Sequence, residues 1–296
     1  VTAGYHHRID PENLTAIDTH VHVQIDDDGR LALPQRFLDA MATYFGASDP
    51  PLTVDQTAEH FRERGIAAVV FTVDATTATG HRPNSIDHLV AGAARNADVL
   101  IPFGSVDPLQ DGAALVEATR QAEELGVQGF KFHPTVQDFD PSDPRFDPLF
   151  GHIEELGIPV VVHTGQTGVG AGSPGGLGLR LRLSDPMLLD DVAARHPRLQ
   201  IVLAHPSVPW QDEAIAMATH KSNVWIDLSG WAPKYFSPNL VRAVDSYLRH
   251  KVLFGSDFPA ITPDRWLRDF AALDLKDETR PAVLKDNAVR LLGLAP

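Results

Sequence analysis

Two histidines one residue apart, His20 and His22, lie in the run Ala16-Ile17-Asp18-Thr19-His20-Val21-His22. Apolar and β-branched neighbours predict a short buried strand there. Residues i and i+2 of a strand share a face, so the two imidazoles point the same way. Such a pair is suited to a divalent metal, although two core histidines satisfied by backbone partners would look the same in isolation. Three later apolar runs stop in a similar manner. They are Val160-Val161-Val162-His163-Thr164-Gly165, Ile201-Val202-Leu203-Ala204-His205-Pro206 and Val252-Leu253-Phe254-Gly255-Ser256-Asp257-Phe258-Pro259. Each ends at His or Asp and then meets Gly or Pro. Four histidines and an aspartate at the ends of buried parallel strands are the layout of a barrel active site built around a metal.

The elements that must carry these residues alternate along the whole chain. Strands are predicted at 16–23, 67–74, 99–106, 128–133, 159–164, 200–206, 223–229 and 251–256. Helical patterns fall at 54–64, 112–125, 148–156, 186–195, 211–220, 238–250 and 263–272, several ending at Gly, with a terminal helix at 281–294. The strands are mostly continuous apolar runs, as when helices cover a parallel sheet. Eight strand–helix repeats predict an α/β fold, a (β/α)8 TIM barrel, in one domain spanning 1–296. An open doubly wound sheet is the alternative, but no glycine fingerprint for a dinucleotide accompanies it. Two long loops follow strands. One, 24–53, carries a short helix near 34–44; the other, 164–185, is Gly-rich and reads as a substrate loop or lid.

Composition narrows the partners. The chain has 296 residues, 43% hydrophobic and 22% charged, enough for one large core. A formal net charge of −14 argues against nucleic acid and against an anionic membrane surface. With no cysteine, disulfide and thiolate chemistry are excluded. No stretch reaches the length of an apolar membrane span, and the first residues lack a signal-peptide core, which leads us to expect a cytoplasmic protein. The expected partner is a small-molecule substrate, with a homodimer allowed. The run Asp26-Asp27-Asp28-Gly29 lacks the later ligands of a Ca²⁺ loop and reads as an acidic turn.

In order and type, Asp18-Thr19-His20-Val21-His22, His163, Ala204-His205-Pro206 and Gly255-Ser256-Asp257-Phe258-Pro259 resemble the markers of the amidohydrolase superfamily. The proline after His205 and the Gly-Ser-Asp-Phe-Pro stop resemble its amidohydrolase-related branch, which includes aminocarboxymuconate-semialdehyde decarboxylase, resorcylate decarboxylases and lactone hydrolases. The resemblance implies that His20, His22, His163 and Asp257 bind a divalent metal. Zn²⁺ is the first expectation and Mn²⁺ or Fe²⁺ would also suit the ligands. Asp257 and His205 are then the catalytic acid–base groups, with ligation as the alternative for His205. Binuclear members of the superfamily carry a carboxylated lysine on strand four. Lys131 lies on the matching strand and is expected instead to be a free amine for substrate.

Other residues are placed by their position alone. His133 shares a strand face with Lys131. Asp227 ends strand seven and is expected to orient a ligand or His205. Trp231, Lys234 and Tyr235 follow it and would suit an aromatic or conjugated acid. Arg180 and Arg182 close the Gly-rich loop and could capture a carboxylate. The remaining histidines, among them His60, are expected on the surface.

The leading functional expectation is a metal-dependent hydrolase acting on a small carbonyl-containing carboxylic compound: an aromatic acid, a lactone or a β-keto thioester. Lys131 on strand four and the Gly-rich loop favour it. The alternative is a non-oxidative, metal-dependent carboxy-lyase, which would use the same ligands. A metal-binding barrel without activity is disfavoured, because an open His/Asp site needs only water to be reactive.

Overall fold

The computed structural model describes residues 4–46 and 50–294. The ends of the expected 1–296 domain, and residues 47–49 of the first long loop, lie outside the described residues. Eight parallel strands follow the chain in order: β1 (Ala16–His22), β2 (Ile66–Phe71), β3 (Leu100–Pro102), β4 (Phe130–Phe132), β5 (Val160–His163), β6 (Ile201–Ala204), β7 (Val224–Asp227) and β8 (Val252–Leu253). Strands β1 to β3 form one ladder and β4 to β8 another. Two seams join them. Gly104 bridges Phe130, with Lys131 N–H donating to the Gly104 carbonyl at 2.8 Å. Val21 bridges Phe258, and Thr19 N–H donates to the Phe254 carbonyl at 2.9 Å. The sheet therefore closes on itself as a TIM barrel, and the open doubly wound alternative is excluded.

Alternation along the strands sorts the core. Ile17, Ala67, Val69, Ile101, Val161, Val202 and Leu253 pack together inside the barrel, with Ala288 and Leu294 of the C-terminal segment joining the same cluster. Ala68, Val70, Phe130, Phe132, Val162 and Leu203 belong to a second cluster with helix residues such as Phe61, Leu89, Phe150 and Trp266. This is the in-and-out pattern of strands buried on both faces. The strands are shorter than predicted, although β1, β4, β5 and β7 keep His20 and His22, Lys131, His163 and Asp227 within them. The predicted terminal helix is divided as well, with a π-helical stretch, Ala282–Asp286, ahead of Asn287–Leu292.

One irregularity places the first two histidines. Between Asp18 and Val21 the register of β1 against β2 shifts, with Asp18 opposite Ala68 and Val21 opposite Val70, so β1 holds one extra residue. Such a bulge resets the alternation. It lets Ile17 fill the barrel interior while His20 and His22, further along, also face inward. The fully buried Asp18 secures the seam beside the bulge. Its Oδ1 accepts from His20 N–H at 3.1 Å and from Ser256 N–H at 2.9 Å. Burial raises its pKa to about 7, against the lowering effect of the Ser256 hydrogen bonds.

The loop after β1 carries α1 (Gln35–Phe45), close to the expected 34–44. The acidic run is a turn, as expected: Asp26 Oδ1 accepts from the N–H groups of Asp28 and Arg30.

Asp18→Ala leaves two buried N–H donors unpaired and should destabilise the fold by about 1–3 kcal/mol. Asp18→Asn retains an acceptor oxygen and should cost less. Denaturant unfolding of both variants checks this ordering; equal stability of Asp18→Ala and wild type would contradict it.

Candidate metal centre

The functional side chains gather where β1 and β4 to β8 end. His20 and His22 come from β1, Lys131 from β4 and His163 from β5, while His205 follows β6 directly. Asp227 ends β7, and Asp257 lies four residues past Leu253, in a turn where its φ is +69°. A non-glycine residue in the left-handed region is locally strained and needs fixing by its surroundings. Here Asp257 N–H donates to the His20 carbonyl at 3.0 Å. Two glycines make room for the cluster. A Cβ on Gly255 would come within 2.3 Å of Asp227 Oδ1, and one on Gly230 within 2.6 Å of His205 Nδ1.

A chain of hydrogen bonds orders the ring protons. His20 Nδ1–H donates to Asp227 Oδ2 at 2.6 Å. The Ser229 hydroxyl gives its own proton to the same oxygen at 2.8 Å, so Ser229 Oγ accepts from His205 Nδ1–H at 2.7 Å. His205 Nε2 is then a lone pair and accepts from His163 Nδ1–H at 3.0 Å. This leaves His163 Nε2 as a buried lone pair with no hydrogen-bond partner. His20 Nε2 accepts from the Lys131 ammonium at 3.0 Å and lies 3.4 Å from Asp257 Oδ1. His22 Nε2 is 3.2 Å from that same oxygen.

Burial drives the electrostatics. It pushes the pKa values of His20, His133 and His163 well below 6.5, with neighbouring cationic groups adding to the effect. His205 is lowered to about 4 by burial, against the pull of Asp257. Burial opposes ionisation of Asp257, but the His22 hydrogen bond and the charges of His205, His22 and Lys131 hold its pKa below the usual value. Burial lowers the Lys131 amine while Asp257 and Asp227 hold it up. Neutral imidazoles beside an ionised carboxylate are the donor set a divalent cation takes. The unpartnered His163 Nε2 is an orphan that such an ion would satisfy, so these residues fit a metal.

Most of the expected residues converge here. His20, His205 and Asp257 each offer a ligand atom within 4.8 Å of the others. His22 joins them through Asp257 and His163 through His205. His133 stacks on His163 with ring centroids 3.8 Å apart. Asp227 orients His20, while the orienting of His205 falls to Ser229. The Asp-Leu-Ser spacing at the end of β7 was the one available signal for Ser229.

Three expected substrate residues are not brought to the site. Arg180 is exposed, paired with Asp138 across the loop, and Arg182 is exposed as well. Lys234 is exposed, with its Nζ over the Tyr235 ring at 4.9 Å. All three side chains lie outside the cavity lining. Trp231 and Tyr235 do line it. So does His60, expected on the surface; its ring lies 4.7 Å from that of Phe258. The cavity holds about 1030 Å³. Of the Gly-rich loop, residues 166–169 reach it.

Comparison with known proteins places this arrangement in a family. The family model described as Amidohydrolase matches residues 17–294. A curated 2-amino-3-carboxymuconate-6-semialdehyde decarboxylase of Dictyostelium discoideum is 24% identical over 241 residues, 71% of this chain and 66% of that protein. The match thus spans just under two thirds of the relative's length. An uncharacterized TIM-barrel protein of Bordetella bronchiseptica superposes with a TM-score of 0.77 at 22% identity, covering 94% of this chain and 98% of that one. The 5-carboxyvanillate decarboxylase of Novosphingobium aromaticivorans, solved with manganese and a nitrobenzoic acid, gives 0.68 at 18% identity, with 96% and 97% covered. At these identities the structural likeness establishes the barrel fold.

The ring of His205 should stay neutral in the metal-free protein as pH falls through 6.5 and gain its proton near 4. With the folded pKa depressed, its stabilising contribution is full above 6.5 and is lost as pH falls toward 4. A ¹⁵N NMR titration of the ring nitrogens reads this directly; a midpoint at 6.5 would contradict the buried, neutral assignment.

Proposed function

We propose, from the premise that this chain belongs to the amidohydrolase family, that it is a metal-dependent, non-oxidative decarboxylase of an aromatic or conjugated carboxylic acid. The observation that carries the reading is the ordered set of imidazole Nε2 atoms beside an ionised carboxylate at the cavity floor. The names of the relatives support the lyase: a muconate-semialdehyde decarboxylase by sequence and a carboxyvanillate decarboxylase by fold. This reverses the order given by the sequence, where hydrolysis came first. Lys131, whose position favoured hydrolysis, lies with its Nζ 3.0 Å from His20 Nε2, a placement that serves either reaction.

His20, His22 and His163 through Nε2, with Asp257, would hold the metal; Mn²⁺ stands beside Zn²⁺ as a candidate for this nitrogen and oxygen set. When bound, it supplies a Lewis acid that anchors the substrate's oxygen atoms and offsets the charge that builds up as the C–C bond breaks. The protein does the rest. Asp227 fixes the His20 ring by accepting a hydrogen bond from its Nδ1–H. The Lys131 ammonium faces the substrate's carboxylate end. His205 moves the proton: once Nε2 is released from the His163 hydrogen bond, it would take a proton from the substrate hydroxyl or solvent and deliver it to the carbon that loses CO₂. The bond to the carboxyl carbon breaks, its electron pair stays on the substrate carbon, and the proton takes that place.

Metal-loaded protein incubated with hydroxylated aromatic acids in D₂O should release CO₂ and place one deuterium on the carbon that carried the carboxylate. Turnover of lactones or thioesters with no CO₂ release would return the assignment to a hydrolase.

His205→Asn should retain its metal and lose activity by about 10² or more, with one limb of the pH–rate profile gone. Metal loss in that variant, by elemental analysis, would make His205 a ligand instead.

A further inference from the structure

The cavity above the cluster is larger than the reaction at its floor needs. Its volume of about 1030 Å³ lies at the upper end of roughly 300–1,000 Å³ for small-molecule sites. At its floor it is lined by His22, Lys131, His133, His163, His205 and Asp257, and polar residues such as Gln35, Asp39, Gln166 and Arg265 line it elsewhere. One stretch of wall is apolar. Leu38, Met41 and Phe45 form a stripe at helical spacing along α1, with Leu33 just before that helix and Val136 and Val169 on the facing loops.

This chamber is built, not merely left open. Phe37 anchors α1 in a small core of its own with Ala75, Val136 and Val169, against which Leu33 and Met41 pack. The ring of Phe45 lies so close to the backbone of Gly168 that a Cβ there would approach it to 2.5 Å. The Gly-rich loop and α1 therefore meet across the cavity. Yet Leu33, Leu38, Met41 and Phe45 are only half-buried. Leu33 and Met41 pack on that small core with one side, and all four leave part of their apolar surface open to the chamber. Apolar surface held in a fixed concave wall gains most from a ligand that removes it from water.

We infer that the substrate carries a bulky apolar group, an alkyl chain or a second aromatic ring, on the side away from its reacting carboxylate, and that this group lies under α1. The inference rests on the decarboxylase reading only for the orientation of the carboxylate. It specifies a substrate class: amphiphilic aryl carboxylic acids, larger than a singly ringed hydroxy acid.

Calorimetric titration of the metal-loaded protein with benzoate, para-butylbenzoate and para-hexylbenzoate tests it. Affinity should rise along the series, by up to about fourfold per methylene, the limit for burying a CH₂ group in apolar surroundings. Ala42→Trp, which adds bulk at a residue of α1 that lines the chamber, should flatten that rise. Leu38→Asp should flatten it by a different route, so a folding failure in one variant leaves the other. Equal or falling affinity from benzoate to hexylbenzoate in the wild-type protein would overturn the inference. So would a rise that survives both substitutions. The two readings fail separately. CO₂ release from hydroxybenzoates with no rise in affinity removes the apolar group and keeps the lyase. A steep rise with no CO₂ release from any acid upholds the chamber and removes the lyase.

Discussion

Asp227 is the acceptor on which the top of this barrel is ordered. It accepts hydrogen bonds from His20 Nδ1–H and from the Ser229 hydroxyl, and Ser229 Oγ in turn accepts from His205 Nδ1–H. Each of these bonds fixes a tautomer. The consequence runs on through His205 to His163, whose Nε2 is left bare. A buried imidazole that kept its proton on Nε2 could not be a ligand through that nitrogen. Tautomer control by hydrogen-bond partners remote from the reacting atoms is therefore what turns a group of core histidines into a donor set.

Holding such a group in the interior is costly. His20, Lys131, Asp18 and Asp227 are all fully buried, and burial alone would drive each toward its neutral form. The fold offsets this by pairing nearly every polar atom across strand ends, and by backbone adjustments that a simple barrel would lack. The bulge in β1, the left-handed Asp257 and the two crowded glycines beside Asp227 and His205 all lie within this one layer. Below it, the barrel interior is ordinary apolar packing. Asp257 thus carries backbone strain within the layer where the chemistry is.

Much of this was legible in the chain. The eight apolar runs gave the barrel, since a continuous hydrophobic strand followed by a helix has few other ways to be buried on both faces. His20, His22, His163, His205 and Asp257 were legible because each ends an apolar run, and strand ends converge in a closed barrel. What could not be read depends on loop direction. Arg180, Arg182 and Lys234 sit in segments whose path no periodicity encodes, and all three turn out to solvent. The role of Ser229 depends on a hydroxyl proton, and that of His60 on a ring contact with Phe258, more than a hundred residues away in sequence. The choice between hydrolase and lyase was unreadable for a different reason: both use the same ligands.

Whether this donor set takes one metal in the manner described is most directly measured by anomalous diffraction from crystals loaded with Mn²⁺. The account predicts a single anomalous peak, about 2 Å from His20 Nε2, His22 Nε2, His163 Nε2 and an Asp257 oxygen, with Lys131 an unmodified amine. A peak bonded to His205 with His163 left aside would contradict the tautomer argument. So would two peaks roughly 3.5–4 Å apart joined through a carboxylated Lys131.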